Sequence, residues 1–158
     1  LIGLTASVAE GSKVEPEAGT EALSDTPIPP STEDREVMER LEHIMQKDRL
    51  YRDENLNLTR LSRRLGLPSR QISNAINRSA NMNVSQYVNQ LRIREACRLL
   101  EETEQSVTSI MLDAGFQTKS NFNREFRRIT GLSPVAWRER EVWKLVSTHK
   151  NGHPDQTG

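Results

Sequence analysis

One cysteine, Cys97, stands in 158 residues. A lone thiol excludes an intrachain disulfide and any cysteine-based zinc site. Aromatic residues are scarce at 4% and hydrophobic residues reach only 34%, so any core must be modest and mostly aliphatic. Long apolar runs are missing: mean hydropathy is -0.70 with 28% charged residues, and a membrane helix needs about 20 consecutive apolar residues. The mildly apolar opening, Leu1 to Val8, is too short to span a bilayer. Only three histidines occur, His43, His149 and His153, and no carboxylate cluster accompanies them. His149 and His153 are spaced i, i+4 but flank Gly152 and precede Pro154, which reads as a polar terminus and not as a metal site. No catalytic residue, metal or cofactor is expected.

Net charge is also lacking, at a formal value of zero, but the balance is uneven along the chain. Residues 1–32 hold Lys13 against five acids, Glu10, Glu15, Glu17, Glu21 and Asp25, a balance of -4. Residues 59–140 hold 14 Lys or Arg against seven acids, a balance of +7. The neutral total averages an acidic leader with a basic body, and a basic body suits nucleic acid.

What the body does have is a repeat. One copy reads Leu58-x-x-Leu61-x-x-x-Leu65-Gly66-Leu67, then Ile72-x-x-x-Ile76; the other reads Val107-x-x-Ile110-x-x-x-Ala114-Gly115-Phe116, then Phe122-x-x-x-Phe126. The offset is 49 through the glycines and 50 thereafter, so one turn carries an extra residue. Each copy predicts a helix, a glycine turn and a second helix, with Asn57 and Ser106 as matching N-caps. Leu56 and Leu61 are spaced as a hydrophobic staple around Asn57. Gly66 and Gly115 are expected to end the first helix of each copy, where a positive φ lets the chain turn. The second helices are expected over about 69–79 and 118–130.

The predicted fold is all-α: two helix-turn-helix subdomains joined by a long linker helix. Residues 1–31, rich in Glu, Ser, Thr, Gly and Pro, read as a flexible linker. The first subdomain covers 32–82 and opens with a bracing helix capped near Ser31 and carrying Val37, Leu41, Ile44 and Met45 on one face. A linker helix covers 83–103, with Val84, Tyr87, Val88, Leu91, Leu99 and Leu100 as its apolar contributors. At roughly 28 Å it approaches the ~34 Å between successive major grooves. The second subdomain covers 104–146, and 147–158 read as a disordered tail. Asn81 takes the place that Gly131 holds in the second copy and is expected to adopt the same left-handed turn. Tyr87 and Trp137, at the shared offset, read as packing residues, and Cys97 as a small core residue. Because the chain begins at Leu1 and not Met, it reads as a piece of a longer protein.

The string Ala114-Gly115-Phe116-x-x-x-Ser120-x-Phe122-x-Arg124-x-Phe126-Arg127-x-x-x-Gly131-x-Ser133-Pro134-x-x-Trp137-Arg138 resembles the DNA-binding domain of the AraC/XylS family of bacterial transcription regulators. Leu91-Arg92-Ile93-x-x-Ala96-x-x-Leu99-Leu100 is similar to that family's linker helix. The resemblance covers about 56–140. It departs at Ser62 and Met111, where Ala is usual, and at Pro68, where a Ser cap is common; Met111 is expected to loosen the packing at its helix crossing. Ile72-Ser73-x-x-Ile76-Asn77, then Tyr87-Val88-Asn89, resembles members with an amino-terminal membrane domain. The resemblance implies a cytoplasmic location, or anchoring of the full-length protein in the inner membrane.

With Ile72 and Ile76 inward, and Phe122 and Phe126 inward, the remaining faces of the second helices are polar. The resemblance places base reading on Arg70, Ser73 and Asn74 in the first motif and on Ser120, Asn121 and Arg124 in the second. Arg and Asn suit guanine and adenine edges respectively. Ser69, Arg78, Lys119, Arg127 and Arg128 suit phosphate, which positions more than it specifies. The implied partner is double-stranded DNA with an asymmetric promoter site, joined by RNA polymerase, the fragment being monomeric and the full-length protein dimeric. Two other readings stay open: a helical protein-interaction module without DNA binding, and the DNA-binding half of a repair enzyme. For the second, Cys97 lies mid-helix with no ligand cluster.

Overall fold

The computed structural model describes residues 28–150, with side chains through 147. The expected leader therefore lies mostly outside the described residues, as do His149 as a side chain and residues 151–158. Among the described residues the chain is helical: α1 (Thr32–Lys47), a 3-10 turn (Leu50–Arg52), α2 (Leu58–Leu65), α3 (Ser69–Ala80), α4 (Val84–Glu102), α5 (Val107–Asp113), α6 (Lys119–Thr130) and α7 (Pro134–Lys150). None of these helices is long and apolar enough to cross a membrane.

The caps are those the residue types favour. Ser31 Oγ accepts from the Asp34 amide at 3.0 Å and Asp34 returns a carboxylate to the Ser31 amide at 2.9 Å, a reciprocal capping box that starts α1. Asn57, Asn83, Ser106 and Thr118 likewise accept from an amide three residues on at the starts of α2, α4, α5 and α6, and of these four Asn83 also completes the reciprocal box, with Gln86. Asn81 does take the left-handed turn, with φ 52. The Ser62 hydroxyl donates to the Leu67 carbonyl at 2.6 Å, so this departure from Ala ties down the first turn. Pro68 caps α3 with no side-chain hydrogen bond, and the first motif is locally the less tightly capped. Met111 is buried in the second core, where a flexible thioether adapts to an irregular gap. The last helix continues to Lys150, four residues into the stretch expected as a disordered tail.

Two cores form. The first joins Val37, Leu41 and Met45 of α1, Leu61 and Leu65 of α2, Ile72, Ala75 and Ile76 of α3, and Tyr87 and Val88 of α4. The second joins Ile93, Ala96, Leu99 and Leu100 of α4 with Ile110, Met111, Ala114, Phe116, Phe122 and Phe126. One continuous helix thus walls both cores, its first turns serving one and its last turns the other. Val84 and Leu91 are only half-buried, whereas Ile93 and Ala96, absent from the apolar face read in the sequence, are fully enclosed. The reason is that α4 changes its buried face midway, so no single 3.6-residue stripe describes it.

Between the cores lies a polar seam. Arg92 is 8% exposed; its Nε donates to the Tyr51 carbonyl and its Nη2 to the Asp53 carbonyl, each at 2.8 Å. Its guanidinium carbon stands 5.6 Å from the centre of the Phe116 ring, a cation–π distance. One turn on, buried Glu95 accepts from Arg98 at 3.0 Å and from Arg52, with Arg49 at 3.8 Å. Gly115 was expected to end α5 directly; the helix stops at Asp113, Ala114 is its cap and Gly115 follows with φ 93. A Cβ there would fall 2.7 Å from the Tyr51 carbonyl oxygen. The turn of the second motif therefore rests on the backbone of the first subdomain.

Two stability measurements follow from the seam. Gly115→Ala should cost about 2 kcal/mol or more, adding a backbone clash to left-handed strain, while Gly131→Ala, with open space around it, should cost about 1 kcal/mol. Equal losses in chemical denaturation would mean that the approach to Tyr51 is not tight. Hydrogen bonds from Arg98, with those from Arg52, outweigh burial and hold the Glu95 carboxyl down to about 2, from 4.5. A depressed carboxyl contributes stability that is full above its unfolded value and is lost as pH falls through the folded one. Acid titration of wild type and Glu95→Gln should converge between about pH 4.5 and 2; parallel curves would contradict the ion-pair account.

Candidate nucleic-acid interface

The rotation of α6 about its axis is set by aromatic packing. Phe116 meets Phe122 edge-on at 5.2 Å between ring centres, Phe122 meets Phe126 at 5.6 Å, and Phe126 meets Trp137 at 6.1 Å. With Phe122 and Phe126 locked inward, Ser120 and Arg124 are exposed and Asn121 is half-buried at the edge. Thr118 caps the helix by accepting from the Asn121 amide at 3.3 Å. The Arg124 Nη2 donates to Asn121 Oδ1 at 2.8 Å, so the two strongest reader candidates hold one another while most of Arg124, 72% exposed, stays in solvent.

In α3, Ile72, Ala75 and Ile76 point inward. Arg70 is exposed, Ser73 and Asn74 half-buried, and the Ser73 hydroxyl turns back to the Arg70 carbonyl at 3.1 Å. Two polar residues of α3 face α1 instead: Gln71 donates to Glu33 at 2.6 Å and Arg78 pairs with Asp34 at 3.3 Å. Arg78, expected on phosphate, is thus occupied beside α1. Ser69 sits half-buried at the first position of α3.

Lys119 and Arg127 are exposed, whereas Arg128 is tied through Nε and Nη2 to Glu125 at 3.1 and 2.8 Å. Burial alone would raise the Glu125 carboxyl; Arg128 reverses this and keeps it below the ordinary range. Two of the four cations of α6 therefore have acid neighbours on their own helix, since Arg124 Nε also lies 3.5 Å from Glu125.

Three surface concavities connect these residues. Ser73, Asn74 and Asn77 border the first, together with Leu58, Val84 and Ser85. The second is bordered again by Leu58, Val84 and Ser85, and by Asn121 and Arg124 across from them. The third runs from Arg124 past Lys119, Arg127 and Arg128 to Ser133 and Pro134 at the start of α7. Because each shares walls with the next, Ser73 and Asn74 of the first motif and Asn121 and Arg124 of the second open onto one strip, whereas Arg70 and Ser120 line none of the three. No carboxylate lines any of the three.

Arg92, Glu95 and Thr118 are the residues that sequence reasoning missed as contributors to this geometry. The i, i+3 spacings Arg92 to Glu95 and Glu95 to Arg98 are present in the sequence, but such spacings also occur on solvated helix faces. Burial also pushes the Cys97 thiol up to about 12, so it stays protonated and is no nucleophile.

Residues 61–140, half of the chain, match the family model described as a helix-turn-helix domain. The HTH-type transcriptional activator RhaS of Pectobacterium carotovorum subsp. carotovorum (strain PC1) is 30% identical over 87 residues, 55% of this chain and 31% of that protein. The chain spans about a third of the length of this curated relative. Among solved structures, a transcriptional regulator from Chromobacterium violaceum with an AraC-type DNA-binding domain superposes with a TM-score of 0.58 and 21% identity, over 68% of this chain and 92% of that one. The DNA-binding domain of AdpA, a global transcriptional factor solved in complex with a target DNA, gives 0.60 and 21%, over 68% and 94%. These two likenesses are of fold.

Proposed function

The chain belongs to the AraC/XylS family of helix-turn-helix transcription regulators, and from that premise we propose that it reads one duplex DNA with α3 and α6 in adjacent major grooves. The observation that carries this reading is the single carboxylate-free strip onto which Ser73 and Asn74 of one motif and Asn121 and Arg124 of the other open. Arg70, Ser73 and Asn74 read one segment; Ser120, Asn121 and Arg124 read the other. Arg and Asn have the donor and acceptor geometry for bidentate contacts to purines, each discriminating by about 1 to 3 kcal/mol. Ser69, Lys119, Arg127 and Arg128 hold phosphates, while Arg78 joins them only if it leaves Asp34. Because the motifs follow head to tail, the site is asymmetric. RNA polymerase as a second partner, dimerisation through other parts of the protein, and an inner-membrane anchor belong to the same reading of the full-length protein.

The test is binding to a pool of random duplexes. The three cations among these phosphate contacts, Lys119, Arg127 and Arg128, predict a loss of roughly 40-fold in affinity between about 50 and 200 mM salt. Arg124→Ala and Asn121→Ala should change the base preference at adjoining positions. Arg127→Ala should instead weaken all sequences alike and lower the salt slope by about 1. Unaltered preference in both reader variants would sink the assignment. Affinity indifferent to salt would favour a protein-interaction module.

A further inference from the structure

A helix shared by two small domains fixes how far apart they stand but not how they are turned about it. In this chain the first core grips α4 through Tyr87 and Val88, and the second through Ile93, Ala96, Leu99 and Leu100. Each grip is apolar, and apolar contacts are non-directional. The connections that cross from one subdomain to the other are polar: exposed Gln117 donates to the Glu54 carbonyl at 3.5 Å, and the seam is the buried part. It has direction: Arg92 binds the Tyr51 and Asp53 carbonyls of the 49–53 turn while lying over Phe116 of the second motif. Glu95 gathers Arg52 from that same turn and Arg98 from its own helix. Arg49, at φ 46, holds a left-handed conformation unusual for its residue type and sends its side chain to the same carboxylate. Gly115 lies so near the Tyr51 carbonyl that a Cβ there would fall 2.7 Å from its oxygen.

We infer that this seam sets the rotation of one reading helix relative to the other, so that Glu95 and Arg52 are positioning residues that select the spacing between the two contacted DNA segments. The inference rests on the two-groove reading above. One base pair changes the separation of two sites by about 3.4 Å and their relative direction by about 34°. A rigid seam therefore admits one spacing and penalises its neighbours; a loosened seam lets α6 swivel and tolerate them. Glu95 lines none of the three concavities, so its effect on DNA passes through geometry. Arg92 borders the second concavity and could touch the duplex itself, which makes Glu95 and Arg52 the cleaner probes.

The experiment uses the whole 158-residue chain and a duplex selected by wild type from a random pool. Versions with one base pair inserted or removed between the contacted segments are compared with it. Wild type should lose about tenfold or more on either change, a full mismatch's worth of specificity. In Glu95→Gln and Arg52→Met, both checked for folding by thermal melting, the penalty should shrink to about threefold, because swivel recovers part of the lost contact. Lost charge in Arg52→Met lowers affinity for every duplex and cancels in the ratio. An Ile110→Val control, which loosens the second core alone, should keep the wild-type penalty.

An unchanged penalty in the folded variants overturns the inference, as does a wild type that binds its sequence with no spacing preference. A wild type that selects no sequence overturns the two-groove reading instead. The seam is then judged without DNA, by spin labels at Arg63→Cys and Asn123→Cys in a Cys97→Ala background. A narrow distance distribution that broadens with Glu95→Gln supports it; equal widths overturn it.

Discussion

The buried guanidinium of Arg92 is the contact on which the rest of the arrangement depends. Two short helix-turn-helix units with cores of about ten buried residues each have little apolar surface to spare for one another. Placing a charge between them is costly unless its hydrogen bonds are met. Here the carbonyls of Tyr51 and Asp53, the Asn89 amide oxygen at 3.3 Å and the Phe116 ring meet them. Those acceptors come from the turn of the first subdomain, the linker helix and the turn of the second motif. Satisfying one side chain therefore orients three elements at once. Glu95, one turn further, repeats the device with opposite sign.

Much of this was legible in the sequence. Glycine turns, Asn and Ser caps and the Ile and Phe pairs sit at spacings that only a helix pair satisfies, so the element order and both inward faces could be read off. Asn81 could be assigned a left-handed turn from its residue type alone. The seam was not legible, because Arg92, Glu95 and Arg98 have the composition and spacing of an ordinary solvated helix face. Their burial depends on where a turn some forty residues earlier comes to rest, and periodicity holds no information on that. Gly115 was read as a helix stop; its second requirement, room for the Tyr51 carbonyl, is tertiary.

The proposed site shows the same division. The exposed positions of α3 and α6 followed from their buried neighbours. Which cations are free did not: Arg78 is drawn to Asp34 and Arg128 to Glu125, leaving Lys119 and Arg127 as the less encumbered contributors to a phosphate track. The two motifs are also unequal. Helix α6 is fixed by a chain of four aromatic rings and a threonine cap, whereas α3 is packed by isoleucines and lacks a side-chain cap. In the proposed reading the second motif therefore carries the sharper part of recognition.

A hydroxyl-radical footprint on the duplex preferred by the chain tests the central claim most directly. Two helices held at one separation predict two unequal protected segments on the same face of the DNA, their centres about one helical turn apart, with the stronger protection under α6. A single protected segment, or two segments related by two-fold symmetry under one bound chain, would contradict it.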